Sequence, residues 1–260
     1  MALKTVRGIS ILRGGIFMGY TNSPLVAYTK LSPNHSGART APLTRISPHC
    51  TVGQVSTEGL GDWFAKSSTK ASSNYGIDKD GRVGMYVEEK NRSWCTSSND
   101  NDQRAVTIEC ASDTKEPYTM NTAVYSTLIK LCVDICKRNG KKKLLWLETK
   151  EKSLSYNPKS AEMVITVHRW FANKYCPGEW LFSRLGDLAK EVTAQLGGTT
   201  ETSEPDTSSG TDNEKIIWNF LYGKIGNAYG AAGLMGNLYA ESGLVPNNLQ
   251  NSCNKKLNIS

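Results

Sequence analysis

Residues 197–212, GGTTETSEPDTSSGTD, constrain the chain more than any other stretch. They are Gly, Ser, Thr, Asp and Glu with one Pro, and they include no apolar side chain. Such a segment has nothing to bury against a core and reads as a flexible linker. The chain must therefore fold in two parts. Residues 18–196 have the length of one medium domain. Residues 213–260, roughly 48 of them, are too few to support a core without staples. At the other end, Arg13-Gly14-Gly15 just ahead of Met18 is what a purine-rich ribosome-binding site would encode. Residues 1–17 are therefore expected to be a non-native or disordered extension, with an edge strand as the alternative.

Within 18–196, helical and strand periodicities alternate. TVGQVSTEGLGDWFAK (51–66) spaces Val52, Val55, Leu60, Trp63 and Phe64 like a helix, against the weakening effect of Gly59 and Gly61. GRVGMYVEE (81–89) reads as a strand entered through the turn DKDG. AVTIECA (105–111) is β-branched and reads as a buried strand. The clearest helix is 121–140, with Asn121 as N-cap, an apolar stripe at Val124, Leu128, Leu131 and Ile135, and Lys137, Arg138 and Gly140 at its end. EMVITVH alternates so that His168 ends a strand, and EWLFSRLGDLAKEVTAQLGG reads as one amphipathic helix stopped by Gly197. The pattern predicts an α/β fold, a mixed central β-sheet flanked by helices, plus a small C-terminal α-helical segment.

A formal net charge of +7 points to an acidic partner, whether nucleic acid, membrane lipid or another anionic polymer. Nucleic acid is disfavoured because no basic-aromatic motif accompanies the charge. No apolar run reaches the roughly 18 residues of a membrane span. The N-terminus lacks a small-residue cleavage site, so synthesis in the cytoplasm without a signal peptide is expected. Seven cysteines with no regular framework argue for reduced thiols, with Cys132 and Cys136 packed on one helical face as small hydrophobes. Phosphate-binding Gly-rich loops, EF-hand loops and HExxH are absent.

The chain has three histidines, His35, His49 and His168. His49 and His168 each close an extended segment, where a side chain can point into a cleft. Catalytic zinc takes three nitrogen, sulphur or oxygen ligands and leaves a fourth position open. His49, His168 and Cys176 would supply such a set, and a satisfied histidine pair with a core thiol is the plainer alternative. Glu109 falls inside the apolar AVTIECA stretch, where a carboxylate costs several kcal/mol unless paired, metal-adjacent or protonated. It is either an ion-pair partner, with Arg104 near in sequence, or a general base whose pKa is raised by burial. Lys174, two residues before Cys176, is either a surface lysine or an oxyanion stabiliser.

SPHCTVGQ, SSNYGIDKDGRV, NDNDQRAVTIECASD and VHRWFANKYCPG, in this order, resemble the zinc amidases shared by phage endolysins, bacterial autolysins and peptidoglycan recognition proteins. The resemblance covers roughly residues 20–196. It implies an N-acetylmuramoyl-L-alanine amidase that cuts between muramic acid and the first alanine of the stem peptide. Residue by residue, it implies one Zn2+ on His49, His168 and Cys176, Glu109 as the acid/base, and Lys174 near the carbonyl. Some members carry a catalytic tyrosine before the DKDG-type turn. Ser73 falls there in this chain, so Tyr75 is left as a substrate contact, beside Asn74, Trp94 and Arg104 as groove candidates. Cys176 stands where part of the family has Asp, which makes the site oxidation-sensitive. Peptidoglycan is the implied partner, with anionic wall polymers as a further one, and the implied place of action is the cell wall after holin-type release or lysis. A catalytically inactive peptidoglycan-binding module of the same fold is the alternative.

IIWNFLYGKIGNAYGAAGLMGNLYAESGLVPNN (216–248) resembles the opening of phage-tail-type lysozyme domains, which implies Glu241 as a general acid. Its size argues against a working cleft, and glycoside cleavage normally needs a second carboxylate. It is expected to be a truncated, inactive lysozyme-like segment, or a helical hairpin for wall binding or self-association.

Overall fold

The structure, a computed structural model, describes residues 9–12, 15–18, 20–197, 212–225, 228–242 and 244. The chain divides into two compact units, Met1–Thr200 and Glu201–Ser260. The strands of the first are β1 (Ile9–Leu12), β2 (Gly15–Met18), β3 (Val26–Thr29), β4 (His35–Ala38), β5 (Arg45–Cys50), β6 (Tyr75–Ile77), β7 (Val83–Met85), β8 (Asn91–Ser93), β9 (Ala105–Cys110), β10 (Lys143–Leu145) and β11 (Glu162–Ile165). Its helices are α1 (Thr57–Phe64), α2 (Asn99–Arg104), α3 (Thr122–Arg138), α4 (Lys150–Ser155), α5 (Glu179–Phe182) and α6 (Leu185–Gln195). Seven strands form one sheet in the order β10-β11-β5-β9-β6-β7-β3, parallel except at the β6–β7 pair. β1 pairs with β2 and β4 with β8, each in a separate two-stranded ladder. This is the mixed sheet with flanking helices that the periodicities predict.

The central strands alternate strictly. Ile46 and Cys50, Val106, Ile108 and Cys110, and Met163, Ile165 and Val167 belong to one apolar core with Leu128, Leu131, Cys132 and Ile135 of α3 and Leu185, Leu188 and Val192 of α6. The opposite face carries Arg45, Ser47 and His49 of β5 in register with Ala105, Thr107 and Glu109 of β9. AVTIECA is thus two-faced, and Glu109 is the last residue of its polar face. The α3 cap forms as expected, with Asn121 Oδ1 accepting from Val124 N at 2.9 Å.

Pro48 sits in β5, an interior strand, where a missing N–H would normally break the ladder. Ile46 O accepts from Thr166 N, so Pro48, two residues on, faces the same neighbour. The β5–β11 ladder has already ended, at Ile46–Ile165. The proline falls where the two strands part, and His49 follows it at the carboxyl end of the sheet.

Four expectations change. The 51–66 helix shortens to α1, because Ser56 Oγ accepts from Gly59 N at 3.0 Å and caps it, while Val52 sits at φ +52° and is exposed. The 81–89 strand shrinks to β7, since the Tyr86 and Val87 N–H groups both turn to Asn74 O. β11 stops at Ile165, and His168 opens a short 3-10 turn, His168–Trp170, instead of ending a strand. The helix over 179–196 breaks at Ser183-Arg184, where the Arg184 guanidinium takes Trp180 O, the carbonyl its own amide would bond in a continuous helix.

In the second unit, α7 (Asp212–Ile225) and α8 (Ala228–Ser242) form the C-terminal helical segment. Leu221 and Ala231 are buried, whereas Phe220, Leu234 and Tyr239 are exposed. The side chain of Glu241 lies outside the described residues. Among the described residues, no helix is long and apolar enough to cross a membrane.

Candidate metal centre

Four side chains meet where β5, β9 and β11 end. His49 is 1% exposed, and its Nδ1 lies 3.2 Å from Cys176 Sγ and 3.8 Å from Glu109 Oε1. The in-register pairing of His49 with Glu109 makes that approach unavoidable, since paired residues of adjacent strands share a face. His168 comes from the turn after β11, its ring centroid 5.1 Å from that of His49. Cys176 returns to the site because its loop is closed on itself. Arg169 N donates to Cys176 O at 3.1 Å, and the Arg169 guanidinium reaches Tyr175 O and Glu179, each at 2.6 Å. One donor atom from each of His49, His168 and Cys176 lies within 4.8 Å of the others.

Two further thiols join the cluster. Cys95 Sγ donates to Glu109 Oε1 at 3.8 Å, and His49, Cys95 and Glu109 form a second group of donors within the same 4.8 Å. The Cys50 thiol interacts with Cys176. Neither Cys50 nor Cys95 stood out in the sequence. The available signals were the adjacency of Cys50 to His49 and the position of Cys95 beside Trp94 in WCTSSND.

Burial governs the charges here. It pushes Glu109 up to about 8, helped by Cys50 and opposed by the Cys95 contact. It holds His49 well below its usual value, and the His168 charge adds to this. His168 is lowered by burial and then by the nearby Lys174 ammonium. Both rings are thus favoured as neutral imidazoles, the form that accepts a metal. His49 Nε2 and Glu109 Oε2 are buried with no hydrogen-bond partner. Buried polar atoms are seldom left so in a folded core, and two of them in contacting residues call for a cause such as a bound ion or a catalytic role.

The other candidates fall elsewhere. Lys174 is exposed on the loop that carries Cys176. Asn74 and Tyr75 cannot line a groove, because both are fully buried. Asn74 Oδ1 takes Thr107 N and Arg39, and its Nδ2 donates to Val87 O. Tyr75 donates to Glu89 Oε1 at 2.7 Å and accepts from Ser23 N. Trp94 is partly exposed and donates to Ser36 Oγ at 2.7 Å. Arg104 pairs with Asp100 at 3.0 Å. It precedes β9, roughly 16 Å along the strand from Glu109 at about 3.3 Å per residue, so it is not Glu109's counter-ion. His35 turns its Nδ1 to Gly37 N in β4, away from this cluster's ligand set.

Comparison with known proteins bears on this site. No curated protein matches the chain. Among solved structures, PlyL aligns at 14% identity over 64% of this chain and 95% of its own, with a TM-score of 0.47. The endolysin of a Thermus scotoductus bacteriophage aligns at 18% over 64% and 90%, with a TM-score of 0.41. The Staphylococcus aureus hydrolase AmiA, solved with its ligand, aligns at 13% over 68% and 87%, with a TM-score of 0.44. The profile described as N-acetylmuramoyl-L-alanine amidase matches residues 39–179, a span that holds all four clustered side chains and more than half of the chain. The chain belongs to the N-acetylmuramoyl-L-alanine amidase family.

Proposed function

We propose that this amidase uses zinc held by His49, His168 and Cys176, and that it serves as an endolysin or autolysin on peptidoglycan. The supporting observation is the buried His49 imidazole, with one nitrogen set against a thiol, a second imidazole and a carboxylate. Two neutral imidazoles and one thiol are a donor set that fits zinc and leaves a position free. When bound, zinc supplies Lewis acidity toward the scissile carbonyl and the attacking water.

The chain's own residues handle the protons and the developing charge. Glu109 Oε1 takes a proton from the water as its oxygen bonds to the lactyl carbonyl carbon. The same carboxyl returns that proton to the alanine nitrogen as the C–N bond breaks. Burial raises the Glu109 carboxyl above its ordinary value, toward the range in which one group can both take and return a proton. Lys174, whose charge already reaches His168, balances negative charge on the carbonyl oxygen. A net charge of +7 suits an anionic wall, reached after holin-type release or lysis.

The test pairs zinc stoichiometry with release of N-terminal alanine from purified walls, in wild type and Cys176→Ser. One zinc per chain, lost in the variant together with alanine release, is the expected result. Zinc without alanine release would replace the enzyme by a wall-binding module. Absence of zinc from the wild type would sink the mechanism.

A further inference from the structure

Ser97 was not singled out by sequence, yet it combines an unusual backbone with a contact to the site. Its φ is +62°, in the left-handed region that a non-glycine residue adopts uncommonly and that marks functional sites more often than chance. Its Oγ lies 3.3 Å from His168 Nε2. We infer that Ser97 is a positioning residue for His168, its Oγ accepting from Nε2–H so that the ring presents the Nδ1 lone pair to the metal. The inference rests on the zinc reading above and names the residue that fixes one ligand's tautomer.

Ser97 is held in place from both sides. The Asp102 carboxylate accepts from Cys95 N at 3.1 Å, from Thr96 N at 3.2 Å and from Thr96 Oγ1 at 2.6 Å. On the other side, Ser98 Oγ accepts from Asn101 N and caps α2. Asn101 then ties this loop to the strands beneath it. Its Nδ2 donates to Ser47 Oγ at 3.1 Å, and its Oδ1 accepts from Thr166 Oγ1 at 2.9 Å. Ser47 is two residues before His49, and Thr166 is two residues before His168. A network buried at Ser47, Thr96, Asn101, Asp102 and Thr166 therefore ties the backbone on both sides of the exposed Ser97 to the segments that carry both histidines.

The two rings then make consistent use of their nitrogens. His49 already turns Nδ1 toward Cys176 and Glu109. With Nε2 of His168 committed to Ser97, Nδ1 is the atom that ring has left to offer. Metal-bound histidines usually donate their other N–H to a fixed acceptor, and losing that acceptor costs about 10–100-fold in metal affinity.

The test uses Ser97→Ala and Ser97→Gly in the full chain. Glycine adopts a positive φ freely, so that variant removes the hydroxyl without adding backbone strain. Two quantities are read, zinc affinity by chelator competition and the His168 tautomer by nitrogen NMR of the zinc-free protein. With only three histidines, assignment is direct. Both variants are expected to bind zinc about tenfold or more weakly, and His168 is expected to lose its Nε2–H tautomer. Rescue of affinity in the glycine variant alone would assign the effect to backbone strain and overturn the inference. So would attachment of zinc to Nε2 of His168 in the wild type. If the wild type binds no zinc, the metal reading fails, and the tautomer in the zinc-free variants still decides what Ser97 does.

Discussion

Strands β5, β9 and β11 turn two different faces to their surroundings. Behind them, Ile46, Ile108, Met163 and Ile165 pack under α3 and α6 and are 0% exposed. Burial of that kind is non-directional, worth about 25 cal/mol per Å² of apolar area, and indifferent to which neighbour supplies the area. In front, each group needs a particular partner. Ser47 meets Thr166 at 2.6 Å, Asn101 bridges them, and Thr107 serves Asn74 and Ser93. At the carboxyl end His49 Nε2 and Glu109 Oε2 have no partner, as Glu89 Oε2 has none elsewhere. A second buried carboxylate sharpens the contrast. Glu89 Oε1 has Arg138 at 2.5 Å and Tyr75 at 2.7 Å, whereas Glu109 has a thiol and an imidazole. A carboxylate set against a cation ties two parts of the chain together. One given neutral neighbours can hold or release a proton.

The largest expected effect separates those roles. Glu109→Gln should lower alanine release by about 100- to 10,000-fold. Zinc content and the melting temperature should stay close to wild type, since Oε2 has no partner to lose. Rate, metal content and a thermal melt on one preparation check it. Loss of zinc in that variant would instead place Glu109 among the ligands, in the His49, Cys95 and Glu109 set.

The back face should respond the other way. Leu131 is fully buried in α3, and Leu131→Ala should cost about 2–5 kcal/mol of stability by transfer and cavity terms. Zinc per folded molecule and turnover per folded molecule should not change. Denaturant unfolding and metal titration would show it. A variant that keeps its stability but drops its metal would mean that the two faces are not separable.

The back face was the more legible of the two in the sequence. The α3 stripe, its Asn121 cap and the β-branched strands all state a local preference that tertiary packing then agrees with. His49, His168 and Cys176 could be picked out as nitrogen and sulphur donors, and Glu109 as a costly carboxylate in an apolar run. Their grouping follows from register, which pairs His49 with Glu109 and lies beyond any single segment. The polar supports were not legible. Asn74 and Tyr75 looked like groove residues because nothing near them in sequence announces Arg39, Glu89 or Ser23 as their partners. Cys95 and Ser97 are illegible in the sequence for a related reason. Their approach depends on Asp102 capturing the loop backbone, a contact that a list of residue types does not contain. The helix starts at 57 and 185 depart from the apolar spacing because the Ser56 cap and the Arg184 side chain override it locally.

The smallest effect concerns the thiols behind the sheet. Burial pushes Cys110 and Cys132 well above the usual thiol value, and Cys136 up to about 12 despite Lys141. In the unfolded chain each would ionise near 9. A folded pKa above the unfolded one means that the native state binds more protons between the two values. The stabilisation is complete below about pH 8 and is lost as pH rises through 9 toward the folded values, at up to about 1.4 kcal/mol per pH unit for each thiol. Urea unfolding of the zinc-free protein at pH 7.5 and pH 10 should show that loss. Cys132→Ala should be less stable at both values but should lose less between them, by about 1.4 kcal/mol. Comparing slopes removes the cavity cost, which does not depend on pH. Equal slopes would mean that Cys132 finds a way to ionise in place, and the back face would not be the dry, partner-indifferent layer that separates it from the front.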